Sequence, residues 1–206
     1  MTFPVAVLIS GEGTNLQALL DSVHGRDGIE IVAVGSSSAA APGLERARRA
    51  GVESAVFPLS AHPDRGARDR ALADWLDAHG VELVVLAGFM ELLGPEFIHR
   101  FAGRIVNVHP SLLPAFPGVD AIRRALDTGV RVTGVTVHFV DEGVDTGPIV
   151  LQESLELPYH PDIAAIEQRV HEIEHRLLPR AVRLIAAGRV RVDAENPRLV
   201  HVDPDG

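Results

Sequence analysis

Apolar residues in this chain form short runs that are separated by stripes of helical spacing. The runs at Val5–Ile9, Ile29–Val34 and Glu82–Ala87 predict strands that are buried on both faces. Between them, Leu16–Val23 and Arg65–His79 carry apolar residues at helical spacing and predict helices. Strands that alternate with helices indicate a Rossmann-like, doubly wound, mostly parallel sheet with helices on both faces. Three more elements fit this pattern, the helix Leu44–Ala50 and the strands Glu53–Phe57 and Arg104–Val108.

The pattern changes in the last third of the chain. Val132–Val140 alternates strictly and Ile149–Leu157 follows after a turn, so we expect an antiparallel C-terminal addition to the sheet. Asp162–Ala187 predicts one long helix, kinked at Pro179. After Gly188, two short strand-like pieces predict a hairpin. The helix is expected to bury one apolar stripe, formed by Ile163, Ile166, Val170, Ile173, Leu177, Ala181 and Leu184.

Composition favours one α/β domain over residues 1–189, with residues 190–206 as its hairpin tail. The 206 residues are 46% hydrophobic but only 4% aromatic, so the core must be aliphatic. The formal charge of -9 disfavours nucleic acid as a partner, because phosphate-backbone affinity rests on Lys and Arg clusters. The absence of cysteine excludes thiolate metal ligands and fits a reducing compartment. The first apolar run is too short for a signal peptide or membrane span, so we expect a cytoplasmic protein with no membrane partner.

A glycine-rich turn, GEGTN, follows the first predicted strand. Its glycines permit a sharp turn, and Thr14 and Asn15 can cap the next helix while their N–H groups face an anion. A dinucleotide site is disfavoured, because Leu16 replaces the third glycine of that fingerprint and the second strand ends in GSSS without an acidic residue. The turn therefore predicts a phosphate site, with a plain connecting turn as the structural alternative.

Three polar residues form the second candidate site. Asn107 and His109 point to the same face at the end of a strand, before Pro110 takes the chain out of the sheet. The acidic loop VDEGVDTGP places Asp145 between two glycines. An Asp, a His and an Asn amide suit acyl transfer without a covalent intermediate. The structural alternative is a capping Asn, a surface His and a solvated acidic turn.

One further motif, HEIEH at His171–His175, matches the pattern of zinc proteases. No third ligand follows nearby, and Ile173 belongs to the predicted core stripe. We therefore expect no metal at this motif.

Longer segments are similar to the family of folate-dependent formyltransferases. The turn GEGTN, the segment PGLERA and Glu174–His175 favour the branch that acts on glycinamide ribonucleotide. The resemblance implies formyl transfer from 10-formyltetrahydrofolate to the amine of glycinamide ribonucleotide, in de novo purine (IMP) biosynthesis and without a metal. The matching segments are VLISGEGTNLQALLD, PGLERARRAG, VVLAGFMELLGPEF, IVNVHPSLLPAFPG, TGVTVHFVDEGVDTGPIVLQ and EHRLLP.

The resemblance also implies a role for individual residues. Asn107, His109 and Asp145 match the catalytic trio of the family, which would act by direct amine attack through a tetrahedral oxyanion. The N-terminal half would bind the phosphorylated substrate, and the C-terminal half would bind folate and carry out catalysis. The ribose phosphate would be held by Gly13, Thr14, Asn15 and Glu174. The folate would be held by Arg65, Met90, Glu91, Leu92, Leu93, Asn107, Asp141, Glu142, Gly143, Val144 and Asp145.

The chain departs from the family pattern at a few positions. Ser36–Ser38 stands where Asn is common, and Asp120 and Ile122 stand where histidines are frequent. Glu91 replaces a frequently basic residue beside the folate slot. Two other functions stay open, N-formylation of an amino sugar and non-catalytic binding of a folate or sugar phosphate. The expected partners are small molecules only, and a homodimer is left open.

Overall fold

The computed structural model describes residues 2–160 and 162–203. These residues divide into two compact units, an N-terminal unit that ends at Val106 and a C-terminal unit that begins at Asn107. The predicted limits of a domain over 1–189 and a tail over 190–206 stay a prediction. None of the described helices has the length and apolar composition that crossing a membrane requires.

The N-terminal unit alternates strands and helices. Its elements are β1 Phe3–Ile9, α1 Thr14–Ser22, β2 Ile29–Ser36, α2 Gly43–Arg49, β3 Glu53–Val56, α3 Arg65–Ala78, β4 Leu83–Leu86, α4 Pro95–Arg100 and the first residues of β5 Ile105–His109. The strands lie in the order β3-β2-β1-β4-β5, and β1 pairs in parallel with both β2 and β4. Because the chain moves outward from β1 in one direction and then in the other, a crevice is expected at the carboxyl ends of β1 and β4.

The C-terminal unit begins inside β5 and continues with antiparallel strands and a long helix. Its further elements are α5 Ala121–Thr128, β6 Val132–Phe139, β7 Ile149–Glu156, α6 Ile163–Ala186, β8 Val190–Val192 and β9 Val200–Val202. β6 lies between β5 and β7 and is antiparallel to β7. α6 packs against β6 and β7, because its apolar stripe from Ile166 to Leu184 is buried. β8 and β9 form the predicted hairpin.

The predicted fold class, a doubly wound and mostly parallel α/β sheet with an antiparallel addition, is confirmed. Two helices, α4 and α5, are missing from the predicted set. The alternation along β6 is also misleading, since seven of its eight residues are buried. The face of β6 that carries Thr136 is covered by the segment after β5, whose Leu113 N–H donates to Thr136 Oγ1 at 3.1 Å.

Candidate active site

The glycine turn after β1 is shaped by close backbone packing. Gly13 adopts a left-handed conformation (φ 69°), and a Cβ atom there would lie 2.8 Å from the Cα of Gly43. From α2, Arg46 donates to the carbonyl of Glu12 at 2.8 Å and to Gln17 Oε1 at 3.1 Å. The prediction that Thr14 and Asn15 cap the helix is wrong, because both lie inside α1 and its N-cap is Gly13. Their N–H groups still belong to the first turn, where a helix attracts anions.

The ends of three strands meet at Ser10. Its hydroxyl lies 2.6 Å from Ser37 Oγ, and it accepts a hydrogen bond from the N–H of Met90 at 2.8 Å. The segment after β4 is thereby fixed to the end of β1. The turn that contains Gly13 and the segment Met90–Leu93 therefore follow the carboxyl ends of β1 and β4, and their phosphate and folate roles stay predictions. Ser10 was not a predicted site residue.

The predicted folate residues of the N-terminal unit differ in exposure. Met90 and Leu92 present apolar side chains that are 75% and 57% exposed, while Glu91 and Leu93 are half-buried. Arg65 is exposed at the start of α3. The residue that contacts the segment is instead Arg68, one turn further along α3. It is fully buried and donates to the carbonyl of Leu92 at 3.0 Å.

The C-terminal unit brings Asn107, His109 and Asp145 together. Asp145 Oδ2 lies 3.3 Å from His109 Nδ1 and accepts from the N–H of Gly118 at 2.7 Å. Asp145 Oδ1 accepts from Asn107 Nδ2 at 3.4 Å. Asp145 itself adopts a left-handed backbone conformation, with φ 53°. The sequence prediction of a trio is therefore matched by contact, although its catalytic role stays a prediction.

His138 is the fourth member of this cluster. Its ring is 2% exposed, and its Nε2 lies 3.3 Å from Asn107 Nδ2 and 3.6 Å from Asp145 Oδ1. The other ring nitrogen, Nδ1, lies 2.8 Å from the carbonyl of Phe139. Sequence reasoning assigned no role to His138, although a histidine at the end of a strand and just before the acidic loop was a usable signal.

The pKa values of Asp145 and His109 are both lowered, but for different physical reasons. Burial would raise the pKa of Asp145, but the contact with His138, the Gly118 N–H and the charge of His109 overcome it and lower the pKa to about 2. For His109, burial is the main cause and lowers the pKa below 6.5, against the opposing effects of the Phe116 carbonyl and Asp145. At neutral pH the cluster therefore pairs a carboxylate with a neutral imidazole.

His109 lies between two acceptors. Its Nε2 is 2.9 Å from the Phe116 carbonyl, while its Nδ1 faces Asp145. A neutral imidazole has one N–H and can satisfy only one of them, whereas an imidazolium can donate to both. The geometry therefore stabilises a proton that His109 acquires, and burial keeps the resting ring neutral.

The acidic loop is more ordered than a solvated turn. Asp141 Oδ1 accepts from Thr146 Oγ1 at 2.6 Å and from the Gly143 N–H at 3.1 Å. At Gly147 a Cβ atom would lie 1.8 Å from the Phe139 carbonyl, so only glycine permits this close return of the chain. Glu142 and Val144 are exposed at the tip of the loop. Asp141 thus shapes the loop that carries Asp145.

The loop after β5 is held by the antiparallel strands. Thr136 Oγ1 donates to the Ser111 carbonyl at 2.7 Å, and Gln152 Nε2 donates to the Leu113 carbonyl at 2.9 Å. A cavity of about 240 Å³ lies beside this loop, and Asp145 is one of its lining residues. Its lining is Leu113, Pro114, Pro117, Asp145, Thr146, Gly147, Pro148, Ile149 and Arg198.

Glu174 and the HEIEH motif lie on α6. Glu174 is 6% exposed, and its proposed substrate contact stays a prediction. The rings of His171 and His175 stack with their centroids 6.2 Å apart, and burial, followed by the charge of His171, lowers the pKa of His175. In the residues that the structure describes, no group of three or more His, Asp or Glu side chains is arranged to hold a metal ion.

The fold is that of a doubly wound α/β protein, and its C-terminal unit holds a cluster of one carboxylate, two imidazoles and one amide. Residues 4–182 match the protein family described as formyl transferase, and the chain therefore belongs to that family. The crystal structure of glycinamide ribonucleotide transformylase 1 from Symbiobacterium toebii matches with a TM-score of 0.93 and 48% identity, over 98% of this chain and 94% of that one.

The curated relatives differ widely in length. The phosphoribosylglycinamide formyltransferase of Haemophilus influenzae is 42% identical over 91% of this chain and 89% of its own length. The trifunctional purine biosynthetic protein adenosine-3 of Bos taurus is 43% identical over 98% of this chain. This chain spans only 20% of the bovine protein.

Proposed function

We propose that the protein transfers a formyl group from 10-formyltetrahydrofolate to the amine of glycinamide ribonucleotide, in de novo purine (IMP) biosynthesis. The observation that carries the proposal is the buried cluster in which Asp145 contacts both Asn107 and His109. The names of the relatives support the choice of substrates.

The amine attacks the formyl carbon and forms a tetrahedral oxyanion, and the bond from that carbon to the folate nitrogen then breaks. Asn107 is suited to stabilise the oxyanion. Its Nδ2 contacts with His138 and Asp145, at 3.3 and 3.4 Å, are longer than usual hydrogen bonds, so the amide gives up little when it turns to a new acceptor.

A proton must leave the attacking amine and reach the folate nitrogen. In this proposal His109 and Asp145 move that proton, because an imidazolium at His109 donates to both Asp145 and the Phe116 carbonyl. An N–H of His109 can also stabilise the oxyanion, but only if Nε2 first leaves the Phe116 carbonyl. The proposal contains no covalent enzyme intermediate and no metal.

The binding residues keep the roles that the family resemblance implies. Gly13, Thr14 and Asn15 would hold the phosphate through backbone N–H groups, and Glu174 would contact the sugar or glycinamide part. The exposed Met90 and Leu92 side chains fit a flat apolar ring system, and Arg65, Glu91, Leu93 and the Asp141–Asp145 loop would complete the folate contacts. The cytoplasmic location stays a prediction, and the oligomeric state stays open.

The test is a spectrophotometric assay of the purified, EDTA-treated protein with the formyl-folate donor and glycinamide ribonucleotide. We expect donor consumption that depends on the amine and falls sharply when the same amine lacks its phosphate. Turnover with an amino sugar but not with glycinamide ribonucleotide would show that the substrate is a different amine, while the role proposed for the cluster would stand. Ligand-induced stabilisation without any turnover would make the protein a binding module and reject the proposal.

A further inference from the structure

Two adjacent charged residues of α3, Arg68 and Asp69, are buried together. Their side chains are 0% and 2% exposed, and Arg68 Nε donates to Asp69 Oδ1 at 2.6 Å. A buried ion pair is costly to desolvate and is weak evidence for stability, even when further hydrogen bonds satisfy its remaining donors and acceptors. The other contacts of the pair therefore indicate what it does.

Those contacts converge on the segment between β4 and α4. Arg68 Nη2 donates to the Leu92 carbonyl at 3.0 Å, and Asp69 Oδ2 accepts from the Gly94 N–H at 2.6 Å. The guanidinium also lies over the ring of Phe89, 5.7 Å from its centroid. The pair of Arg68 and Asp69 therefore contacts Phe89, Leu92 and Gly94, which lie at both ends and within residues 89–94.

One donor of the pair is unused. Arg68 Nη1 has no hydrogen-bond partner among the described residues, and Glu91 Oε2 lies 3.9 Å from it. A buried donor without a partner is destabilising, so a small rotation of the half-exposed Glu91 would be favourable. Glu91 also stands at the position where the family frequently has a basic residue. In this chain the positive charge beside that position is Arg68 of α3.

We propose that Arg68, supported by Asp69, is a positioning residue for the formyl-folate donor. It fixes the backbone of Met90–Leu93 and acts through that backbone, because its own side chain is fully buried. This inference rests on the proposed function, since Met90–Leu93 bind the donor only if the protein is a folate-dependent formyltransferase.

The test uses Arg68→Met and a matched control, Arg104→Met. Arg104 also donates to a backbone carbonyl of the N-terminal unit, that of Arg100 at 2.8 Å, but makes no contact with residues 89–94 among the hydrogen bonds of the structure. Because Arg68→Met leaves Asp69 buried and unpaired, Arg68→Met combined with Asp69→Asn is the second variant, which removes both charges.

Two measurements are made on each protein. Amide hydrogen exchange over residues 89–94 without ligand should accelerate about tenfold in the Arg68 variants and stay unchanged in the control. The KM for formyl-folate should rise about tenfold while the KM for glycinamide ribonucleotide changes less than about threefold. Arg68→Lys, which keeps one donor for the Leu92 carbonyl, should recover part of both effects.

If amide exchange over residues 89–94 is unchanged in folded Arg68 variants, Arg68 does not hold this segment and the proposal is overturned. Faster exchange with no selective change in the donor KM overturns the role in donor binding. If the wild-type protein transfers no formyl group, the proposed function and the donor role fail together, whereas the exchange measurement still decides whether Arg68 holds the segment.

Discussion

The glycine turn of the N-terminal unit and the polar cluster of the C-terminal unit owe their shapes to different parts of the chain, the backbone in the first and side chains in the second. Around Gly13 the shape comes from backbone, because Gly13 and Gly43 approach more closely than side chains allow. Around Asp145 the arrangement comes from ionisable and amide side chains that contact one another. A backbone site is sensitive to added atoms, and a side-chain cluster is sensitive to lost functional groups. Added atoms at the glycine turn should affect substrate binding, and the loss of a functional group from the polar cluster should affect the chemical step.

The largest effect is expected from Asn107→Ala. Loss of one oxyanion donor typically lowers kcat by about a hundred- to a thousandfold, and the KM values should change little because Asn107 acts on charge that develops in the transition state. Steady-state kinetics on the purified variant test this. A kcat close to that of the wild type would remove Asn107 from the chemical step.

His109→Ala should also reduce kcat severely, and the chain offers a matched control. His201 forms a separate His–Asp pair, with Asp193 at 2.8 Å, on the exposed hairpin. His201→Ala should leave kcat unchanged. Equal losses in the two variants would mean that the effect of His109→Ala comes from general destabilisation.

An intermediate effect is expected from Gly13→Ala. The new Cβ would lie 2.8 Å from Gly43 Cα, so the turn must shift, and a non-glycine residue with positive φ adds about 1–3 kcal/mol of strain. We expect the KM for glycinamide ribonucleotide to rise about tenfold with a smaller change in kcat. Gly25→Ala is the control, since Gly25 has φ 70° but no atom within 4 Å of the added Cβ. A similar KM in both variants would show that shape at the turn does not matter.

The smallest effect concerns the charge on His109. Asp145 raises the pKa of His109 and Arg124 lowers it, although burial is the main cause of the depressed value. Asp145→Asn should therefore lower that pKa further, and Arg124→Gln should raise it. Titration of the His109 ring by NMR in each variant measures both. Shifts of the same sign in the two variants would contradict the electrostatic account.

Much of the fold could be predicted because it rests on local patterns. β1, β4 and the stripe of α6 are runs or periods that the sequence shows directly. Asn107 and Asp145 are 38 residues apart, and no local pattern links them. They were grouped because their chemistry suits acyl transfer and because both match a family motif. His138 was missed although its place before the acidic loop was a usable signal, and Arg68 was missed because a single polar residue within a helix carries no pattern that distinguishes a buried role from an exposed one. The helices α4 and α5 were missed as well.

The left-handed backbone at Asp145 limits how this position can vary in evolution. Among residues with a side chain, Asn and Asp adopt positive φ most readily, and β-branched or bulky residues do so at a high cost. The backbone therefore narrows the accessible substitutions to a very few, of which only Asn preserves the shape of the carboxyl group. A lineage that lost the charge at position 145 would most easily carry Asn there, and such a sequence would keep the loop while giving up the carboxylate.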